Sequence, residues 1–377
     1  MDIWTARTRC LMCGYKDVSE LFQSDQMTAL SFAFYDTPRL NAHLIPFNVL
    51  ECRTCGTYQT KYLGNLSMIY EKNHVDTFGT VKAGMHEGFS RFVSKNADID
   101  GILEVGPSTD CLAMSILGKC DGRVVYSVTD PDFRGDRERI RVYDNFIEAI
   151  DLDGIYGNTI VMSNLFEHLY DPPGVIEKIQ RHSKNKYIYL NHPNLEDACK
   201  NYVPIILNIE HTFYVDNAFL VELFRKFGYS CVEQEMYSTH SIFMKFERTH
   251  APLEMVAVNA TTMTDVPRYY VHKSRKVAAV NKLVDEFRTV YMWPASCHTV
   301  DLFACGLQFE KLAGLLDNSP LKINKYCYGY DVRCFDFKDV LRNATSDTVV
   351  ILGGTDCYLK ELDLSGTDAR IVYLRDL

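Results

Sequence analysis

The stretch Gly101-Ile-Leu-Glu104-Val-Gly106-Pro-Ser-Thr-Asp110 decides the fold. Gly101 to Val105 is a short apolar run of strand length, stopped by Gly106 and Pro107. Ser108, Thr109 and Asp110 then offer three N-cap candidates for a helix beginning Cys-Leu-Ala-Met. A strand, a tight glycine turn and a helix start within one short span open a βαβ unit, so the chain reads as α/β.

Working outward, Arg123 to Val128 reads as a second strand ending at Thr129-Asp130-Pro131, Thr159 to Ser163 as a third, and Tyr187 to Leu190 as a fourth. Helical stretches lie between, notably Gly174 to His182. Alternation of this kind predicts a parallel, doubly wound, Rossmann-like sheet with its ligand site at the carboxyl ends of the strands. After a helix over Asn217 to Phe227, the runs Ser230 to Met236 and Ser241 to Phe246 read as a terminal hairpin. Such a hairpin is typical of Rossmann-like methyltransferases and not of dehydrogenases. Glu104-x-Gly106 would let backbone approach the methionine part of S-adenosylmethionine (SAM), and Asp130, 26 residues after Glu104, would take the ribose hydroxyls. The alternative is an α/β domain in which Gly106 is only a turn, since the second glycine of a fuller motif is missing.

Composition narrows the class. The 377 residues are 47% hydrophobic and 24% charged, a globular balance long enough for two or three domains. Forty Lys and Arg against 49 Asp and Glu give a net charge of −9, which argues against a nucleic-acid partner. The longest apolar candidate, Val203 to Ile209, is broken by Pro204 and Asn208, so no membrane span is expected, and MDIWTARTRC has no secretory h-region. A cytoplasmic monomer or homodimer is the expectation.

Thirteen cysteines with no export signal are expected as reduced thiols. Four of them form Cys10-Leu-Met-Cys13-Gly14 and Cys52-Arg-Thr-Cys55-Gly56. The two-residue gap lets both thiolates of a knuckle reach one ion, and the glycine permits the positive φ of that turn. Four thiolates leave no open coordination position, so the expected zinc is structural. The others, such as Cys111, Cys120, Cys231 and Cys305, read as small buried hydrophobes. Seven basic and seven acidic residues up to Lys72 give no basic face, so this module reads as scaffold or substrate lid.

Three units are expected: a zinc module over 1–75, a methyltransferase domain over 76–250 and a Rossmann-like α/β domain over 251–377. In the last, Arg268 to Phe287 reads as an amphipathic helix with Val271, Val277, Val280, Val284 and Phe287 near one face. Thr299 to Leu316 looks helical, and Thr289 to Trp293, Thr348 to Leu352 and Arg370 to Leu374 look like strands.

Together these features resemble the C-methyltransferases of nucleotide-linked deoxysugars over nearly the whole chain. The matching positions are the two CxxC knuckles, Glu104-Val-Gly106-Pro-Ser108-Thr-Asp110, Asp130-Pro131, His168 in Asn164-Leu-Phe-Glu-His168, Glu210-His211, and Asp317-Asn-Ser-Pro-Leu-Lys322-Ile-Asn-Lys325. The family often has a tyrosine where this chain has Asn208. The resemblance implies SAM held by Glu104, Gly106, Ser108, Asp110, Asp130 and Asn164, and a thymidine-diphosphate-linked keto-sugar as substrate. Methylating carbon needs a base for the acidified C–H beside the keto group and a donor for the enolate oxygen. His211 is the expected base, Glu210 its orienting or sugar-anchoring partner and His168 the donor. His192 and Asn208 are expected at the substrate, with Lys322 and Lys325 at its phosphates. Two alternatives stay open: methyl transfer to oxygen or nitrogen of a related precursor, or a non-catalytic binding protein that kept the fold.

Overall fold

The computed structural model describes residues 3–30, 33–40, 43–70, 80–120, 122, 124–155, 157–202, 207–237, 241–249, 265–354, 359–360 and 362–377. Arg123, the start of the Val203 to Ile209 run and both expected domain boundaries lie outside these residues.

The quoted stretch becomes β1 (Gly101–Val105), and the other strands of its sheet are β2 (Val125–Thr129), β3 (Arg141–Tyr143), β4 (Thr159–Ser163), β5 (Tyr187–Pro193), β6 (Tyr229–Met236) and β7 (Ser241–Arg248). Their spatial order is β6-β7-β5-β4-β1-β2-β3. Strands β1 to β5 run parallel, while β7 inserts antiparallel between β5 and β6. The expected doubly wound sheet and terminal hairpin are both present. β4 stands beside β1 with Met162 opposite Val105, where the strand order reverses, so a crevice opens at their carboxyl ends.

Side chains alternate across the sheet and two cores result. Leu103 and Val105 of β1 join Val175, Ile176 and Ile179 of helix Pro172–Arg181 and Leu220, Leu223 and Phe224 of helix Asn217–Lys226. Ile102 faces the opposite layer, with Phe89 and Phe92 of helix Thr80–Ser94 and Leu112 and Ile116 of helix Cys111–Leu117. Both of the longer helices on the first layer start on an aspartate: Asp171 accepts from Gly174 N and Asp216 from Phe219 N.

The N-terminal module builds a four-stranded antiparallel sheet from Val18–Thr28, Leu44–Cys52, Tyr58–Thr60 and, from far along the chain, Phe213–Tyr214. The last third forms a five-stranded all-parallel sheet in the order Cys334–Asp336, Gly314–Asp317, Thr289–Trp293, Thr348–Leu352, Arg370–Tyr373. No helix among the described residues is long and apolar enough to cross a membrane.

Four expectations need correction. The helical stretch ends at Phe303, and Gly314–Asp317 is a buried strand, too short for its period to show. Cys334–Asp336 escaped notice for the same reason. Val271 is exposed although Val277, Val280 and Val284 of helix Asp265–Glu286 are buried. Cys111 is exposed on the first turn of its helix, and Cys120, Cys231 and Cys305 are half-buried rather than core residues.

Candidate active site and metal centre

Gly106 turns away from β1 at φ +64°, a conformation that costs a side-chain-bearing residue, and its N–H donates to the Thr129 carbonyl. That bond ties the ends of β1 and β2 together. Asp130 follows β2 and is buried, with Oδ2 accepting from Ser108 N (2.9 Å) and Oδ1 from Asp132 N (2.7 Å). Burial raises its pKa despite these bonds. Each carboxylate oxygen has a second lone pair, so the group keeps acceptor capacity for hydroxyls. Asn164 sits at φ +49° after β4, and its buried Oδ1 has no hydrogen-bond partner. Gly106, Ser108, Asp130 and Asn164 thus meet at the crevice.

Two expected cofactor residues are engaged elsewhere. Glu104 points into the sheet's second core and accepts from the Tyr126 hydroxyl at 2.8 Å. Asp110 precedes its helix without capping it and accepts from Asp136 N at 3.0 Å.

The histidines converge. His168 ends a short 3-10 turn after β4, and His211 lies on the loop before strand Phe213–Tyr214. Their rings meet edge to face with centroids 5.0 Å apart. The Tyr70 hydroxyl is 3.1 Å from His168 Nδ1, and Glu210 Oε2 is 4.0 Å from the same nitrogen. Burial, followed by the Glu210 carboxylate, holds the Tyr70 phenol well above its ordinary pKa, so it stays a hydrogen-bond donor. Glu167, 2% exposed, lies behind the pair, with Oε1 4.0 Å from His168 Nε2 and Oε2 3.3 Å from His192 Nδ1. Burial would raise the Glu167 carboxyl, but His192, then His168 and His211, draw it down to about 2, so it is a carboxylate. His192 itself is enclosed by Phe166 and Phe213.

The Glu210-His211 loop is held from below. Asn208 Oδ1 accepts from Glu210 N and His211 N, making the turn that presents both side chains. Thr212 N donates to the Glu167 carbonyl and its Oγ1 to the Leu169 carbonyl. The Thr212 carbonyl accepts from Arg7 Nη1 (2.7 Å) and Thr60 N (3.1 Å) of the N-terminal module. Asn208 therefore serves the loop's backbone.

Lys322 is 5% exposed and paired with Asp317 at 2.8 Å, so its charge already has a partner; Lys325 is half-buried on the same loop. Burial, then the Glu210 carboxylate, raise the Cys297 thiol while Lys322 opposes them, which puts Cys297, Glu210 and Lys322 in one region.

Tyr70, Glu167 and Thr212 were missed in the sequence. Glu167 adjoins His168 and was findable by adjacency. Tyr70 carries no local signal, because it reaches the site from the N-terminal module.

The four knuckle cysteines come together in the module. Cys10 Sγ lies 3.6 Å from Cys55 Sγ and Cys13 Sγ 3.6 Å from Cys52 Sγ, and all four sulfurs are within 4.8 Å of one another. A tetrahedral thiolate site with bonds near 2.3 Å has edges of about 3.8 Å, so the set fits a dication. Gly14 and Gly56 close the knuckles at φ +76° and +77°, each donating its N–H to the carbonyl of the knuckle's first cysteine. The hydrogen bond with Cys10 lowers the Cys55 thiol while burial opposes it.

Residues 80–234, less than half of the chain, match the family model described as a methyltransferase domain. The match falls on the central α/β unit and not on the modules before and after it. No curated protein matches the chain. Among solved structures, an O-methyltransferase family protein from Burkholderia thailandensis superposes with TM-score 0.38 at 10% identity, over 48% of this chain and 60% of its own, so less than two thirds of that protein is spanned. The 1,6-didemethyltoxoflavin N1-methyltransferase of the same organism, solved with 1,6-didemethyltoxoflavin and S-adenosylhomocysteine, gives 0.39 at 11% identity, over 49% of this chain and 87% of that one.

Proposed function

We propose that the protein is a SAM-dependent C-methyltransferase acting on a nucleotide-linked keto-deoxysugar, with thymidine diphosphate as the nucleotide, and that the four cysteines hold a structural zinc ion. The three units at 1–75, 76–250 and 251–377 then supply the scaffold, the donor site and the phosphate-facing wall. The observation that carries the reading is the pairing of His168 and His211, rings 5.0 Å apart, on the loops beside the crevice.

Gly106, Ser108, Asp130 and Asn164 would hold SAM, which when bound supplies an electrophilic methyl group for the enolate carbon. His211 takes the proton from the carbon beside the keto group, an imidazole nitrogen being the acceptor. The Tyr70 hydroxyl donates to His168 Nδ1, which leaves the proton on Nε2 for the developing enolate oxygen. Glu210 anchors the sugar or orients the imidazoles, and Lys325 faces the phosphates, with Lys322 already paired to Asp317.

His211→Ala is expected to lower turnover on the keto-sugar by at least about a hundredfold, the scale of one positioned base, with SAM affinity by titration calorimetry unchanged. Loss of SAM binding in that variant would remove His211 from the chemistry. A product whose NMR spectrum shows a methyl group on oxygen or nitrogen would overturn the C-methylation.

A further inference from the structure

Glu167, which faces His168 and His192, has no task in that reading. Both its oxygens are buried and make no hydrogen bond, and neither does His192 Nδ1 beside them. Buried carboxyl oxygens without hydrogen bonds are costly unless a donor or a cation faces them. One donor atom from each of Glu167, His168 and His211 lies within 4.8 Å of the others, and among the described residues this is the one such group besides the four cysteines.

The donor chemistry differs from that of the knuckles. Two imidazoles and a carboxylate suit zinc, nickel, copper or iron as dications. Bonds of about 2.0–2.2 Å put tetrahedral donors about 3.4 Å apart, so ring rotations closing the widest pair by at most about 1.4 Å complete the site. Ligating histidines usually have their other nitrogen fixed by a hydrogen bond, and Tyr70 does this at His168 Nδ1. Its hydroxyl can donate in the metal-free tautomer and accept in the metal-bound one. Three protein ligands leave a fourth position open.

We propose that Glu167, His168 and His211 form a second, exchangeable divalent-cation site, and that an ion bound there silences the enzyme. The second half rests on His211 being the base: its lone pair can bind a metal or accept a proton, not both. The ion likewise takes the His168 nitrogen that faces the enolate oxygen.

The test uses the full chain, dialysed against a weak chelator that leaves the thiolate-held ion, then titrated with Co²⁺ by equilibrium dialysis and visible absorption. The expected result is one further equivalent per chain, with a weak d–d band and no thiolate-to-cobalt charge transfer. Glu167→Gln and His168→Ala should lose that equivalent at least tenfold in affinity and keep the first ion. Glu167→Asp, which keeps the charge, covers the case in which Glu167→Gln fails to fold, and should bind more weakly than the parent. No second equivalent, or one that survives these substitutions, overturns the site. Turnover should fall at least tenfold as the second site fills and return on chelation; unchanged or faster turnover overturns the silencing. If no keto-sugar is methylated at all, the functional reading fails, while the dialysis still decides the cation site.

Discussion

At the scale of single residues, the glycine at the end of β1 shows how much one backbone conformation decides. Gly106 occupies φ +64°, and a Cβ there would lie 2.3 Å from Leu165 Cδ1. The leucine tip is flexible and can yield; the dihedral cannot. Gly106→Ala should therefore cost about 1–2 kcal/mol, the left-handed penalty. Adding Leu165→Ala should not restore the loss, which thermal melts of the single and double variants would read; full rescue by Leu165→Ala would show that crowding is the cause. This position was legible, because a strand followed by Gly-Pro-Ser-Thr-Asp leaves few alternatives. So was the meeting of the four knuckle cysteines, which their spacing predicts. Glu104 was misread in detail: strand alternation turns its carboxylate into the core toward Tyr126, away from the carboxyl edge.

At the scale of elements, sequence reading succeeds where a strand or helix is long enough to repeat its pattern. Thr159–Ser163 and Thr289–Trp293 were found to the residue, whereas Gly314–Asp317 was folded into a helical stretch because four residues carry no period. Long-range partners were not readable. Nothing in Glu-His-Thr-Phe-Tyr predicts that Phe213–Tyr214 adds a strand to Tyr58–Thr60. Thr212 is the pin of that arrangement, and Thr212→Val removes only the hydroxyl that bonds the Leu169 carbonyl. Leaving that buried carbonyl unsatisfied should cost about 1–3 kcal/mol. Because the Glu210-His211 loop hangs on it, kcat should fall while SAM affinity holds; a melt shift without a kcat change would restrict Thr212 to stability. The helix Pro172–Arg181 makes a pH prediction. His182, which follows it, is buried and its pKa is lowered below 6.5 chiefly by desolvation. The unfolded chain then binds the proton more readily, so this contribution is present above pH 6.5 and is lost as pH falls from there toward the folded value. Urea unfolding at several pH values should show that slope, and His182→Gln should flatten it.

At the scale of the whole molecule, the four-cysteine module is wired into the loops that carry His168 and His211 and does not merely sit beside them. Its sheet receives Phe213–Tyr214, its Arg7 and Thr60 hold the Thr212 carbonyl, its Tyr70 holds His168, and the Gly64 carbonyl accepts from the Tyr170 hydroxyl. The proposed zinc ion would join the Cys10-Cys13 and Cys52-Cys55 knuckles, so its removal should loosen the module there first. Four thiols at van der Waals distance cannot all ionise without a dication, and a structural thiolate site of this kind contributes folding energy outright. Cys10→Ser or a strong chelator should therefore lower the melting temperature and abolish turnover, although the four knuckle cysteines form a group separate from Glu167, His168 and His211. The order of events separates wiring from proximity. If the module only tethers the chain, a fluorescent probe at the knuckles and the methylation rate will respond to chelation independently. If it holds His168 and His211 in register, both will decay with one rate constant, and the SAM binding proposed at Gly106 and Asp130 will outlast them.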